Sequence, residues 1–267
     1  MDIKRPVAIV QARMGSTRLP AKILKPLAGK PALWHVVDRL RQARRIDEVV
    51  VATTVKPADD VVESFCSEHA IPCFRGSEED VLDRYYQAAL HFSADPVIRI
   101  TSDCPAIDPT IVDDVIDGFL AGGFDLFSLG GEFPDGLDCQ CFAFWVIEDG
   151  WRNATLPSER EHVGVYMEQH HREKYRIGTH EPFTGLSHLR WTLDEEADLR
   201  FLEAVFDRLY SPQHMFLARD VLELLDREPA LMAINTGIVR NEGLLTSLEK
   251  DKTFMKGQDN ADSATGR

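Results

Sequence analysis

The chain has no apolar run approaching the ~20 residues that a bilayer crossing requires, so no membrane partner is expected. Its opening residues, MDIKRPVAIVQAR, reach their apolar stretch too briefly for a secretory leader and show no small-residue cleavage site. A cytoplasmic protein is the expectation. Cysteine is sparse, and Cys66, Cys73, Cys104, Cys139 and Cys141 form no CxxC pair and no Cys/His cluster. Their odd number and mostly apolar surroundings point to reduced, buried thiols and argue against structural zinc. Positive charge is the third shortage. Lys and Arg number 30 against 44 Asp and Glu, a formal net charge of -14. Binding a nucleic-acid backbone takes broad basic surfaces, so no nucleic-acid partner is expected either.

The basic residues that do occur are bunched. The segment Gln11–Pro31, QARMGSTRLPAKILKPLAGKP, carries five of them and no acidic residue, directly behind the apolar run Val7–Val10. A strand opening into a Gly/Ser turn that bears Arg13, Arg18 and Lys22 suits a nucleoside triphosphate. Backbone N–H groups of small residues can approach phosphate oxygens, and the cations neutralise their charge. The spacing is neither a Walker A loop, which ends in Gly-Lys-Ser/Thr, nor GxGxxG. On residue types alone, a solvated basic loop after an edge strand fits equally well.

The 267 residues, 44% of them hydrophobic, allow one large α/β domain or two small ones. Strand-like runs at 7–10, 48–53, 73–74, 96–101 and 124–128 alternate with helical spacing at 33–40, 59–69, 77 onward and 109–121. Such alternation indicates βαβ units and a mainly parallel sheet. Beyond Leu129 the pattern loosens: a strand over 139–146, a helix over 158–171, short strands over 176–179 and 189–193, then helices over 195–210 and 218–226. One domain over 1–250 is expected, with an inserted excursion over about 130–181, followed by a polar, unstructured tail over 251–267.

Several blocks are recognisable together: IVQARMGSTRLPAKIL, RIDEVVVATT, FRGSEEDVLDRYYQAA, RITSDCPAIDP, FPDGLD, REHV and SHLRWTLDEEADL. In this order they resemble the bacterial sugar-acid cytidylyltransferases, the family of CMP-KDO and CMP-sialic acid synthetases. The likeness is greatest to the spore coat polysaccharide biosynthesis protein F branch, and it spans about residues 6–209. The resemblance implies an α/β, Rossmann-like nucleotide-diphosphosugar transferase fold, a mixed and mainly parallel sheet between helices. It also implies a reaction in which a sugar-acid hydroxyl attacks the α-phosphorus of CTP and pyrophosphate leaves, with Mg²⁺ as cofactor. Relatives of this kind pair as homodimers through the excursion.

Carried over residue by residue, the resemblance places Ala12, Arg13, Gly15, Ser16, Arg18 and Lys22 around the nucleotide, with Arg75 and Ser77 near ribose or base. Arg13, Lys22 and Asp103 become the catalytic group, and Asp103 and Asp194 the carboxylates for Mg²⁺, a hard cation that takes oxygen ligands. Asp135, Asp138, His162 and Arg190 become acceptor contacts, with Arg190 or Arg160 as the fork for a substrate carboxylate. Plainer roles stand beside these. Asp103 can be a turn residue before proline, Asp194 a helix cap, Ser77 an N-cap and His162 a partly buried polar residue. Two positions depart from the family: Thr101-Ser102-Asp103 replaces Gln-Gly-Asp, and Gln140 stands where a carboxylate is common. Thr101 lacks the amide that reads a base edge. Rival functions are a glycosyltransferase of the same broad fold and a non-catalytic nucleotide-binding subunit.

Overall fold

The computed structural model describes residues 5–240 and 242–265, with side chains described as far as residue 256. The chain begins with β1 (Val7–Gln11), followed by a short hairpin of β2 (Pro26–Leu27) and β3 (Lys30–Pro31). Next come α1 (Ala32–Leu40), β4 (Glu48–Thr54), α2 (Asp60–Glu68), β5 (Cys73–Gly76), α3 (Val81–His91) and β6 (Val97–Thr101). The middle holds α4 (Pro109–Gly122), β7 (Leu126–Leu129), β8 (Gln140–Phe142), α5 (Phe144–Asn153), α6 (Pro157–Glu161) and β9 (Ile177–His180). The last elements are α7 (Glu196–Leu209), α8 (Ala218–Arg227) and α9 (Glu242–Thr265).

Seven strands form one sheet in the order β5-β4-β1-β6-β8-β7-β9. β1 pairs in parallel with β4 and β6, while β8 runs antiparallel between β6 and β7. This is the expected mixed, mainly parallel sheet. Val7, Ala8, Ile9 and Val10 are fully buried on both faces of β1, because crossover helices cover a parallel sheet on both sides. Helices α3, α5, α6 and α9 pack among themselves as one group; α1 packs on α4, and α7 on α8. The Tyr85 hydroxyl of α3 donates to the carbonyls of Ile9 and Ile100 at 3.0 Å each, which fixes that helix over β1 and β6.

Helix boundaries follow from local chemistry. α4 starts where Asp108 accepts from Thr110 N at 2.8 Å and Pro109 occupies the first turn. It stops at Gly123, whose φ of 62° lies in the left-handed region. α3 begins later than its sequence suggests. Ser77 Oγ accepts from Asp80 N at 3.0 Å, and Asp80, not Ser77, caps the helix by accepting from Asp83 N at 2.8 Å.

Other expectations fail in instructive ways. The apolar run 139–146 splits, with three residues in β8 and the chain turning at Ala143 into α5. The helix expected over 158–171 is interrupted after Glu161 and resumes as a wide turn over Tyr166–His170. The segment 189–193 forms no strand; it makes a single bridge, Asp135 to Arg190. The tail boundary at 251 falls inside α9, where Asp251 is 4% exposed and its Oδ1 accepts from Ser158 N at 2.9 Å. A polar residue is drawn inward there because the first turn of α6 has unsatisfied N–H groups. Four of the five cysteines are buried. Among the described residues, no helix is long and apolar enough to cross a membrane.

Candidate active site

The chain moves outward from β1 through β4 to β5, then returns to place β6 on the other side of β1. Open α/β sheets bind ligands at such a reversal, beyond the carboxyl ends of the strands. A cavity of about 660 Å³ lies there, bordered by the loop after β1, the end of β6 and the start of α9.

The loop after β1 is held from below. Met14 N donates to Asp59 Oδ1 at 2.6 Å, and the Thr54 hydroxyl donates to the other oxygen of this buried carboxylate. Gly15, Ser16 and Arg18 line the cavity, and Arg13 has no ion-pair partner among the described residues. Arg18 is held by acids: Glu242 at 2.9 Å, Asp194 at 3.5 Å and Glu195 at 3.6 Å. Ala21, at φ 57°, takes a left-handed turn immediately before Lys22, a conformation that costs on the order of 1–3 kcal/mol and is found at functional sites. The following turn buries Ile23, which leaves Lys22 facing the cavity.

Lys22 Nζ lies between two carboxylates, 2.9 Å from Asp103 Oδ2 and 2.6 Å from Asp194 Oδ1. Backbone contacts bring the acids together. Leu193 N donates to Asp103 O at 2.8 Å, and the Thr192 hydroxyl to the same carbonyl at 3.2 Å. Burial disfavours the Lys22 ammonium, but the two carboxylates outweigh it and hold the amine above its ordinary range. Burial likewise pushes Asp103 up, and the adjacent ammonium more than reverses it, keeping the acid ionised. Asp194 is not the helix cap. Asp198 takes that part, accepting from Asp194 N and Glu195 N at 3.0 Å each.

These donors suit a hard divalent cation. Two carboxylates face one point already occupied by positive charge, and no cluster of three or more potential protein ligands exists among the described residues. A site with two carboxylates fits Mg²⁺ completed by phosphate and water better than a cage built wholly of protein.

On the other side, Asp135, Asp138, Arg99, Gln140, His162 and Glu168 share the cavity wall. Gly136 has φ 102°, and a Cβ there would lie 2.6 Å from Thr192 N. Glycine therefore lets the FPDGLD turn close on the 190–192 backbone. Arg99 Nη1 donates to Gln140 Oε1 at 2.6 Å, and Gln140 Nε2 to Glu168 Oε2 at 2.7 Å. Gln140 is the link in a chain that ends on a carboxylate. Burial raises the Glu168 carboxyl and lowers the His162 imidazole, whose Nε2 lies 3.1 Å from Ser247 Oγ of α9.

Of the residues expected at the site, Arg13, Gly15, Ser16, Arg18, Lys22, Asp103, Asp194, Asp135, Asp138, His162 and Arg190 line this one cavity. Ala12, Arg75 and Ser77 do not. Ala12 is buried and continues the β1 ladder by donating to Ala52 O at 3.1 Å. Arg75 is spent on Thr54 O, Lys56 O, Asp60 and Glu63.

Arg190 is engaged by acids on every side of its guanidinium. Its Nε and Nη2 donate to Asp198, Nη1 to Asp135 at 2.8 Å, and Nη2 also to Asp194 at 3.2 Å. It is a scaffold for carboxylates. Arg160 is likewise committed, to Asp80 and to Trp151 O. Arg84, Arg99 and Gln11 were missed. All three line the cavity, and each has a buried polar atom with no partner, Nε in the arginines and Oε1 in Gln11. The signal was present: Arg99 interrupts the apolar PVIRIT strand, and Arg84 sits on the apolar face of α3 among Val81, Tyr85 and Ala88.

The sequence model of the cytidylyltransferase family matches residues 7–147. The chain is 32% identical over 229 residues to spore coat polysaccharide biosynthesis protein SpsF of Bacillus subtilis, covering 83% of this chain and 94% of that protein. Its identity to 3-deoxy-manno-octulosonate cytidylyltransferase of Anaeromyxobacter dehalogenans is 30% over 244 residues, covering 84% and 96%. A solved cytidylyltransferase from Leptospira borgpetersenii superimposes with a TM-score of 0.82 at 32% identity, covering 88% of this chain and all of that one. The chain belongs to the cytidylyltransferase family.

Proposed function

We propose that the protein transfers CMP from CTP to the hydroxyl of a sugar acid or a related surface-polysaccharide sugar, releasing pyrophosphate with Mg²⁺ as cofactor. The observation that carries this reading is the Lys22 ammonium set between Asp103 and Asp194 at the end of a basic, glycine-containing loop. Asp103 and Asp194 would hold Mg²⁺, which supplies neutralisation of charge on the phosphate oxygens.

The chain's own residues supply the rest. Nucleotidyl transfer depends on placing the reactants and stabilising charge. Arg13, Arg18 and Lys22 bring cations to the polyphosphate, and Gly15 and Ser16 line the cavity beside them. Gln11, in register with Thr101 on the neighbouring strand, keeps an amide beside the position where the family has one.

With Arg190 and Arg160 committed, Arg99 is the guanidinium left for an acceptor carboxylate. Gln140 and Glu168 offer hydrogen-bonding groups for sugar hydroxyls nearby.

The test is pyrophosphate release with Mg²⁺, each of the four nucleoside triphosphates, and a pooled set of sugar acids and hexoses. Release with CTP and an added acid is the expected result. Sugar release from a nucleotide-sugar donor without CTP use would favour a glycosyltransferase. CTP binding with no pyrophosphate release across the whole panel would favour a non-catalytic subunit.

A further inference from the structure

Arg84 is among the largest fully buried side chains of the molecule, 1% exposed, yet it forms part of the cavity wall. Its stem is seated on Gly76, where a Cβ would lie 3.0 Å from Arg84 Cγ. Among the described residues the guanidinium makes one hydrogen bond, from Nη1 to Ser77 O at 2.5 Å, and its Nε is buried without a partner. No described carboxylate reaches it within 4.0 Å. Asp59 and Glu78 are acids whose charge acts on it, and both are otherwise engaged. Asp59 holds Met14 N and the Thr54 hydroxyl, and Glu78 pairs with Lys56 at 3.2 Å. Arg13 is a like charge that acts on it. A buried cation that is unpaired and faces another cation opposes folding. The fold makes little use of this charge.

The other cations of the cavity are balanced differently. Lys22 and Arg18 rest on carboxylates, and Arg99 meets Glu168 through Gln140. Arg13 and Arg84 are left, from the loop after β1 and from α3, both lining the cavity and neither with a carboxylate within 4.0 Å among the described residues. We propose that Arg84, together with Arg13, is a binding residue for the polyphosphate of the nucleotide and for the pyrophosphate formed from it. This rests on the nucleotidyl transfer proposed above. A planar guanidinium fork matches phosphate oxygens, and its burial makes each contact stronger than it would be at a surface.

Titration calorimetry with inorganic pyrophosphate and with cytidine tests this, using the full chain as wild type, Arg84→Met and Arg84→Lys, alongside thermal melts without ligand. Arg84→Met is expected to weaken pyrophosphate binding at least 10-fold and to change cytidine binding less than 2-fold. Arg84→Lys recovers part of the loss. The ligand-free melting temperature of Arg84→Met is expected to equal or exceed that of wild type, since an unpaired buried charge is gone, and KM for CTP rises more than kcat falls. A pyrophosphate affinity within 2-fold of wild type in Arg84→Met, or a wild type that binds no pyrophosphate, overturns the proposal. So does a loss confined to sugar-acid binding, which would make Arg84 a holder of the acceptor carboxylate. Because pyrophosphate binding is read directly, a protein that binds it through Arg84 but transfers no CMP would refute the nucleotidyl-transfer reading alone.

Discussion

Lys22 Nζ lies 2.6 Å from an oxygen of Asp194, 172 positions further along the chain. With Asp103 on its other side, the ammonium neutralises two acids that would otherwise repel each other at close range. Lys22→Met is therefore expected to lower stability by about 1–3 kcal/mol. Added Mn²⁺ or Mg²⁺ should raise its melting temperature more than that of wild type, because the freed carboxylates can take a divalent cation. An equal response in both proteins would refute the shared site.

Asp103→Asn should keep Lys22 paired through Asp194 and leave the melting temperature close to wild type. Turnover should nevertheless fall by about 10²–10³, the scale seen when a group that stabilises developing charge is removed. Full turnover at limiting Mg²⁺ would show that Asp103 is a turn residue and no more.

Arg190 predicts the opposite pattern. Its truncation leaves Asp198, fully buried, without its cation, and Asp135, 9% exposed, with only Arg240 at 3.6 Å. Arg190→Ala should cost about 3–5 kcal/mol in urea unfolding, the range for breaking a buried pair from one side. Arg190→Lys should also be destabilising, since one ammonium cannot replace a fork that reaches three carboxylates. A KM effect on the acceptor with unchanged stability would restore Arg190 as a substrate contact.

His35 gives a pH test remote from the site. It is 2% exposed, packs against Phe206 and Tyr210, and lies 2.8 Å from Leu27 O through Nε2. Burial, against the pull of that carbonyl, lowers its pKa from 6.5 to about 4. The unfolded chain takes up the proton at higher pH than the folded protein does. Stability is thus complete above pH 6.5 and falls as pH drops toward 4, by roughly 3 kcal/mol at most. Urea melts of His35→Leu across this window should lack that part of the slope.

Gly136→Ala places a methyl group against the backbone of Trp191 and Thr192, at a φ that side chains disfavour. A stability loss of about 1–3 kcal/mol is expected. Activity should drop further than stability, since the turn carries Asp135 and Asp138 into the cavity wall. Unfolding curves and turnover measured on the same preparation separate the two effects.

The sequence was most legible where chemistry is local. Val7–Val10 and the basic loop are contiguous, so strand, turn and charge could be read in one pass. Asp103 was legible for the same reason, at the end of an apolar strand. The run Cys139–Val146 was not, because alternating and helical burial look alike over eight residues of which all but Gln140 are apolar, and the turn at Ala143 carries no Gly or Pro. The ion pairs of Arg190 could not be foreseen because its partners, at 135, 194 and 198, are brought together by the tertiary fold. α9 escaped notice because it lacks a continuous apolar stripe. Its inward residues include Ser247 and Asp251, which meet the His162 ring and the first turn of α6.

The contact between Arg18 and Glu242 spans 224 positions, and this separation has a consequence in time. A ribosome adding roughly 5–20 residues per second needs on the order of 10–40 s to travel from the basic loop to α9. During that interval the strands beside β1 have already been synthesised, while the pocket lacks one wall and Arg18 lacks its Glu242 partner. α9 is thus the last of the described elements to reach the cavity, and until it does Arg18 can pair only with Asp194 and Glu195.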